Sequence, residues 1–337
     1  MREHRIDLLR FIGLALIILA HVWPPALIFN LRNFDVPLMV LVSAMSFSLA
    51  YKQEALGPYV WKRIKRLLLP VWLFLLCYFL YKTQLSAEDF DTSKMLPSFL
   101  LLQQGSIGYV WIIRVFLLVA LIAPLIYSFN RRISSDRSFF ILCAFAFIVY
   151  ELARYQFRAY FYSGWTAYVS DLLFYIIPYG LLFAIGLRFM ALSQSARLAL
   201  SFISLLVFSA VALYLWRASG AYVATQAFKY PPSFYYFSYA LVVLCLIWPV
   251  AGSLWRFCEQ VRIAPALSFV SANSIWVYLW HICWLQMPWQ IEHYAWRWLV
   301  VLLLSSLSAF AQVSLVNYLA QRSQPGAARW LRSLLTG

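Results

Sequence analysis

The chain has 337 residues, of which 64% are apolar and only 12% are charged, and its mean hydropathy is +0.75. A soluble domain of this size cannot bury so much apolar surface, because about half of an ordinary soluble sequence is apolar. The composition therefore excludes a soluble enzyme and indicates a protein embedded in a lipid bilayer.

The apolar runs predict an all-α polytopic membrane protein with about ten transmembrane helices in a single domain, residues 1–337. The segment 91–105 is too short to span a membrane and is expected at the interface. The predicted spans lie near 7–29, 35–51, 67–82, 109–129, 138–157, 169–190, 197–216, 234–255, 267–288 and 297–320.

The distribution of positive charge predicts the orientation of these spans. If the spans alternate, most of the 27 Lys and Arg residues fall on the side that carries the N-terminus, and cytoplasmic segments are the positively charged ones. Both termini are therefore predicted to be cytoplasmic, and the net charge of +15 reflects topology rather than nucleic-acid binding. The basic start is also typical of a signal peptide, but Arg10 interrupts the apolar run and no good cleavage site follows, so the segment is expected to remain.

The first predicted helix carries Arg10 and His21 in "RFIGLALIILAH". Eleven steps of about 100° return to within about 20° of the start, so both side chains share one face, about 16 Å apart along the axis. An ionisable group at membrane depth costs at least about 2.5 kcal/mol and usually faces a protein-lined cavity. The pair predicts that an anionic cofactor enters from the cytosol and that His21 deprotonates an acceptor hydroxyl. The alternatives are an Arg10 that extends to the interface and a neutral His21 bonded to a neighbouring helix.

Several motifs occur in a definite order along the chain. Arg10-x10-His21 is followed by "VPLMVLVSAMSFSLAY" at 36–51, "YVWKRIKRLLLPVW" at 59–72, "KYPPSFYYFSYAL" at 229–241 and "LSFVSANSIWVYLWHI" at 267–282. Over nearly the whole chain this order resembles the acyltransferase type 3 family of integral membrane proteins. Ala44 replaces the glycine of that family's usual Ser-Gly pair, and Met39 and Val40 replace two phenylalanines, departures that concern helix packing rather than chemistry.

The resemblance implies a membrane O-acetyltransferase. It implies acyl-CoA, usually acetyl-CoA, as a co-substrate with no permanently bound cofactor, and a hydroxyl of a cell-surface polysaccharide or lipid-linked glycan as acceptor. With the composition, it predicts a multi-pass protein of a bacterial inner (plasma) membrane whose oligomeric state stays open. No metal site is expected, because the five cysteines are scattered and form no Cys/His cluster.

Donor-side residues are predicted from charge and position. A basic cluster before the third span is expected to bind the phosphates of CoA, because a guanidinium fits phosphate oxygens. The alternative is that the cluster anchors the protein at the membrane surface. Arg10 is expected to hold CoA or to stabilise the developing oxyanion beside the base His21. Asn273 either binds CoA or joins helices. The basic cluster consists of Lys62, Arg63, Lys65 and Arg66.

Acceptor-side residues are predicted nearer the outer face. His281 lies at a depth comparable to His21 and is expected to bind acceptor or to assist proton transfer, with a structural role as the alternative. Arg114 is expected to form part of an acceptor-side polar site and to have an acidic partner, for which Asp35, Glu151 and Asp171 are the candidates. The alternative to this acceptor role is a purely structural ion pair. The predicted acceptor contacts are His281, Arg114, Asp35, Lys229 and Tyr235.

Two other functions fit a chain of about ten spans. A transporter or flippase is the first, but its sequence indicator is a pair of Gly/Pro-interrupted helices in corresponding positions, which the sequence does not show. A polytopic glycosyltransferase is the second, but it is expected to cluster acidic residues in an early outer loop, where only Asp35 occurs.

Overall fold

The computed structural model describes residues 3–85, 91–102, 104–161 and 166–336. Over these residues the chain is built from helices, and the one extended pairing is an isolated bridge between Lys229 and Pro232. The predicted all-α class is therefore confirmed.

The helices are numbered in chain order. The shorter ones are α2 (Ala26–Leu31), α4 (Leu56–Arg63), α6 (Met95–Phe99), α12 (Ala264–Ala272), α13 (Ser274–Leu285) and α15 (Pro325–Leu335). The longer ones are α1 (His4–His21), α3 (Asp35–Ala50), α5 (Leu69–Leu85), α7 (Trp111–Arg132), α8 (Asp136–Gln156), α9 (Thr166–Phe189), α10 (Gln194–Ser219), α11 (Phe234–Gln260) and α14 (Tyr294–Gln321).

Within the described ranges, eight helical segments are long and apolar enough to cross a membrane, and nine if the bent pair α12–α13 counts as one span. The prediction of about ten exceeds this count by α1, whose 18 residues include the charged Arg5, Asp7 and Arg10. The predicted end of the first span at residue 29 is wrong. Helix α1 stops at His21 because Pro24 and Pro25 follow, and a proline disfavours helical geometry in the residue before it.

The predicted continuous span at 267–288 is also wrong. Helices α12 and α13 meet at an angle of 88°, and the break lies at Asn273, whose backbone departs from helical geometry with φ −107° and ψ 26°. The Asn273 side chain donates through Nδ2 to the carbonyl of Phe269 at 2.9 Å. Such local side-chain bonds compete with the helical ladder, which explains a break inside an apolar run.

The predicted basic cluster lies on an irregular turn. Residues Ile64–Leu68 form a π-helical turn between α4 and α5. A π turn holds more residues than an α turn and often marks a functional site. Arg63 and Arg66 therefore lie further apart around the helix axis than their i, i+3 spacing predicts.

The chain forms two compact units, each assembled from separate stretches of sequence. The first comprises residues 1–13, 25–52 and 118–264, and in it α3 packs on α9 and α11 while α10 packs on α11. The second comprises residues 14–24, 53–117 and 265–337, and in it α13 packs on α14 and α5 while α15 packs on α14 and the π turn. Helices α1 and α7 contribute to both units, and a single functional domain stays a prediction.

Helices α3 and α9 approach each other closely at Gly186. A Cβ atom on Gly186 would lie 2.7 Å from the Cβ of Ala44 and 2.9 Å from the carbonyl oxygen of Leu41. Small residues at such a crossing let two membrane helices pack backbone to backbone. Gly186 on α9 thus provides the space for Ala44, the residue that departs from the family pattern on α3.

Gly186→Ala is expected to destabilise the protein by about 1–3 kcal/mol, because the added methyl group meets backbone that has no flexible side chain to displace. The measurement is the melting temperature of the purified protein in detergent. Gly57→Ala is the matched control, since a Cβ at Gly57 meets nothing within 4 Å. Equal melting temperatures for the two variants would contradict the close packing of α3 on α9.

Candidate functional site

A hydrogen-bonded pair of histidines lies in the second unit. The Nδ1 atom of His21 is 3.0 Å from Nε2 of His281, and the two rings stack with centroids 5.1 Å apart. His21 is the last residue of α1, and His281 lies within α13 with no exposed surface. The structure brings these two predicted residues into direct contact.

The contacts of His281 determine where the protons of the pair lie. Its Nδ1 atom contacts the carbonyl oxygen of Tyr278, which can only accept, so Nδ1 carries a proton. A charged ring would be costly with no solvent exposure, so His281 is neutral and its Nε2 is an acceptor. His21 therefore donates from Nδ1, and in the neutral form of the ring its Nε2 holds the lone pair that a general base requires.

Aromatic residues hold both imidazoles in place. The ring of Tyr109 packs edge-on against His21 with centroids 5.0 Å apart and against His281 with centroids 6.0 Å apart. The Tyr278 hydroxyl donates to the carbonyl of Tyr109 at 2.6 Å, which ties α13 to this ring. Because ring orientation fixes the direction of the hydrogen bond, these contacts stabilise one arrangement of the pair.

Sequence reasoning did not select Tyr109 or Tyr278, although both contact the histidine pair. They lie at a span end and in an apolar run, where aromatic residues are common without a specific role.

Arg10 belongs to the first unit. Its Nη2 atom donates to Oγ of Ser46 on α3 at 2.5 Å, and its Nη1 atom is 4.0 Å from Oδ1 of Asp7. Helix α1 therefore carries Arg10 in one unit and His21 in the other. A shared chamber for these two residues stays a prediction.

Three residues of the basic cluster contact acidic or aromatic side chains in the second unit. Lys62 pairs with Glu54, and the guanidinium of Arg63 lies over the ring of Tyr59 at 4.8 Å. Lys65 lies 5.5 Å from the ring centroid of Trp61. The Nε atom of Arg63 is buried and has no hydrogen-bond partner, so one donor of this guanidinium stays available.

Asp35 and Lys229 meet in a buried network of the first unit. The Asp35 carboxylate pairs with Arg32, and Lys229 Nζ lies 3.5 Å from Asp35 Oδ1 and 3.4 Å from Asn33 Oδ1. Burial lowers the pKa of Lys229 to about 8, although the Asp35 carboxylate opposes this shift. Asn33 donates to Thr225 at 2.9 Å. The network thus connects the turn before α3 to the segment before α11.

The other predicted acceptor contacts lie in different surroundings. The Tyr235 hydroxyl donates to the carbonyl of Val223 at 3.0 Å, and its ring stacks on Phe208 with centroids 5.2 Å apart. Glu151, one candidate partner of Arg114, pairs with Arg154 at 2.9 Å. Arg114 itself is buried on the first turn of α7. Their roles in acceptor binding stay predictions.

Together, these features define a polytopic membrane protein with a histidine pair joined by a hydrogen bond at the end of its first helix. Residues 3–316 match the acyltransferase 3 family model, described as an acyltransferase domain. This match covers nearly the whole chain, so the chain belongs to that family, as the motif order predicted. No curated protein and no solved structure matches the chain significantly.

Asp35→Asn is expected to destabilise the protein by about 3–5 kcal/mol, because it leaves Arg32 and Lys229 buried without their shared carboxylate. Thermal unfolding in detergent measures the change. Asp91→Asn is the control, because Asp91 is half exposed and asparagine also caps helices well. A melting temperature as little altered as that of the control would show that the network does not stabilise the fold.

Proposed function

We propose that the protein transfers an acyl group, in the simplest case acetyl, from acyl-CoA to a hydroxyl of a cell-surface polysaccharide or lipid-linked glycan. The His21–His281 hydrogen bond is the observation that carries this proposal, because it makes Nδ1 of His21 the donor, so that the neutral ring carries its basic lone pair on Nε2. Membership of the acyltransferase family supports acyl transfer as the reaction class.

In the proposed reaction, Nε2 of His21 takes the proton of the acceptor hydroxyl while the oxygen attacks the thioester carbonyl. The C–O bond forms, the resulting tetrahedral oxyanion collapses, and the C–S bond breaks. The leaving CoA thiolate takes the proton from the His21 imidazolium, which restores the base. His281 acts through His21: its Nε2 accepts from His21 Nδ1 throughout, which orients the base and stabilises its charged form.

Donor binding is assigned to the basic cluster and to Arg10. The available Nε–H of Arg63 supports a contact with a CoA phosphate, because a guanidinium donates strong charge-assisted hydrogen bonds to phosphate oxygens. Arg66, Lys62 and Lys65 supply further positive charge near it. Arg10 is proposed to stabilise the oxyanion or to hold CoA, and Asn273 is proposed to contact CoA at the helix break.

We assign acceptor contacts to Arg114, Asp35, Lys229 and Tyr235, with cytoplasmic termini in a bacterial inner membrane. The charge distribution along the sequence supports this orientation, since the positively charged segments are expected inside.

A flippase or transporter of a glycan or lipid precursor is the second candidate function. The 88° break between α12 and α13 favours it, because transporters place substrate sites at discontinuous helices. Transporters usually carry such breaks in pairs, however, and the described residues contain one bent pair. The two functions differ in product: a transferase leaves a covalent acyl group, and a flippase only relocates its substrate.

His21→Ala is expected to lower the release of CoA from acetyl-CoA by about 10²-fold or more, because it removes the proposed base. The assay follows free thiol and labelled acetyl product in membranes that contain equal amounts of each variant. His293→Ala is the control, since His293 lies outside the pair, just before α14. Undiminished CoA release in His21→Ala would remove the base, and relocation of label without an acetylated product would favour the flippase.

Substitutions of His281 are expected to act on turnover and to leave the KM for acetyl-CoA nearly unchanged, because His281 positions the base. His281→Ala removes the acceptor for His21 Nδ1 and is expected to lower kcat by about 10- to 100-fold. His281→Gln offers an amide oxygen at a similar distance and is expected to restore part of that loss. A kcat no higher in the Gln variant than in the Ala variant, with an unaltered pH profile, would indicate a purely structural role.

A further inference from the structure

Arg297 is a cation in the same compact unit as the histidine pair. Among the described residues, Arg297 forms no ion pair. It lies on the first turn of α14, where a positive charge opposes the dipole of that helix. Its Nε atom is buried and has no hydrogen-bond partner. A buried N–H left unpaired costs about 1–3 kcal/mol, so a ligand that accepts from it is favoured.

One hydrogen bond and one electrostatic interaction relate the guanidinium to the surroundings of His21 and His281. Its Nη2 atom donates to the carbonyl of Leu285 at 3.4 Å. Leu285 is the last residue of α13 and lies four residues, about one turn, after His281 along that helix. Burial raises the pKa of Tyr109, the phenol that packs on both histidines, and the charge of Arg297 opposes that rise. Arg297 is therefore within electrostatic range of Tyr109.

The contact with Leu285, about one turn past His281 along α13, indicates which part of a substrate Arg297 reaches. A donor to the reacting oxyanion must lie about 2.7–3.1 Å from that atom, whereas a group one turn away suits a neighbouring substituent of the substrate. A guanidinium with an available Nε–H selects carboxylate or phosphate oxygens. Arg297 is thus suited to bind a negatively charged substituent of the substrate that lies close to the reacting hydroxyl but is distinct from it.

We infer that Arg297 binds an anionic group of the acceptor, a carboxylate or a phosphate, next to the hydroxyl that His21 deprotonates. This inference rests on the proposed function, because it names the class of acceptor for that same site. The acceptor is accordingly an acidic glycan or a phosphate-linked one, and a neutral sugar binds more weakly.

Direct binding to the purified protein in detergent tests the inference. The probes are cellobiose, cellobiouronic acid, which carries a carboxylate, and cellobiose 1-phosphate, and thermophoresis gives each Kd. Wild type is expected to bind at least one anionic probe about tenfold or more tightly than cellobiose, a difference of about 1.4 kcal/mol. The probe that shows the preference distinguishes a carboxylate from a phosphate.

Arg297→Gln is expected to abolish this preference, and Arg297→Lys to keep part of it, because lysine preserves the charge without the planar fork. Arg322→Gln is the matched control, since Arg322 is an exposed arginine at the opposite end of α14, and it should keep the full preference. A wild type without anionic preference overturns the inference whatever the variants do, and so does a preference that survives in Arg297→Gln. Binding needs no turnover, so this outcome is independent of the CoA-release test of His21.

Discussion

The hydrogen bond from His21 to His281 is the interaction on which the candidate site depends. In a membrane protein a buried polar atom finds few water partners, so each one must be satisfied by another protein group. The Tyr278 carbonyl accepts from His281, and His281 then accepts from His21, so the proton positions follow one from another. This chain of acceptors gives the His21 imidazole a defined orientation, which the proposed role as a base requires.

Interruptions of the helices produce this geometry. Pro24 and Pro25 end α1 just beyond His21, which therefore occupies the last helical position rather than the middle of a span. Asn273 ends α12 and begins the separate helix α13, on which His281 lies two turns later. Both features interrupt apolar sequence that would otherwise continue as a simple membrane helix. The site therefore depends on where helices stop as much as on which residues they carry.

The sequence predicted the helical class, most spans and the family, because these follow from hydropathy and motif order. It missed the break at Asn273, since a single asparagine in an apolar run leaves the hydropathy of a span unchanged. The π turn at Ile64–Leu68 has no sequence signature at all. Asp35 and Lys229 were selected separately, but their contact needs chain closure over 194 residues. Their partner Arg32 was not selected, and no local pattern encodes such a distant contact.

The choice of a histidine as the orienting residue has a physical reason in this setting. In soluble hydrolases an aspartate often fills this position, where its charge stabilises the imidazolium strongly. A carboxylate at membrane depth costs several kcal/mol to desolvate and needs its own cation, as the Arg32–Asp35–Lys229 network illustrates. A neutral imidazole avoids that cost, and its dipole still supplies an acceptor for His21. In the proposed reaction, the consequence is weaker stabilisation of the His21 imidazolium than a carboxylate would give.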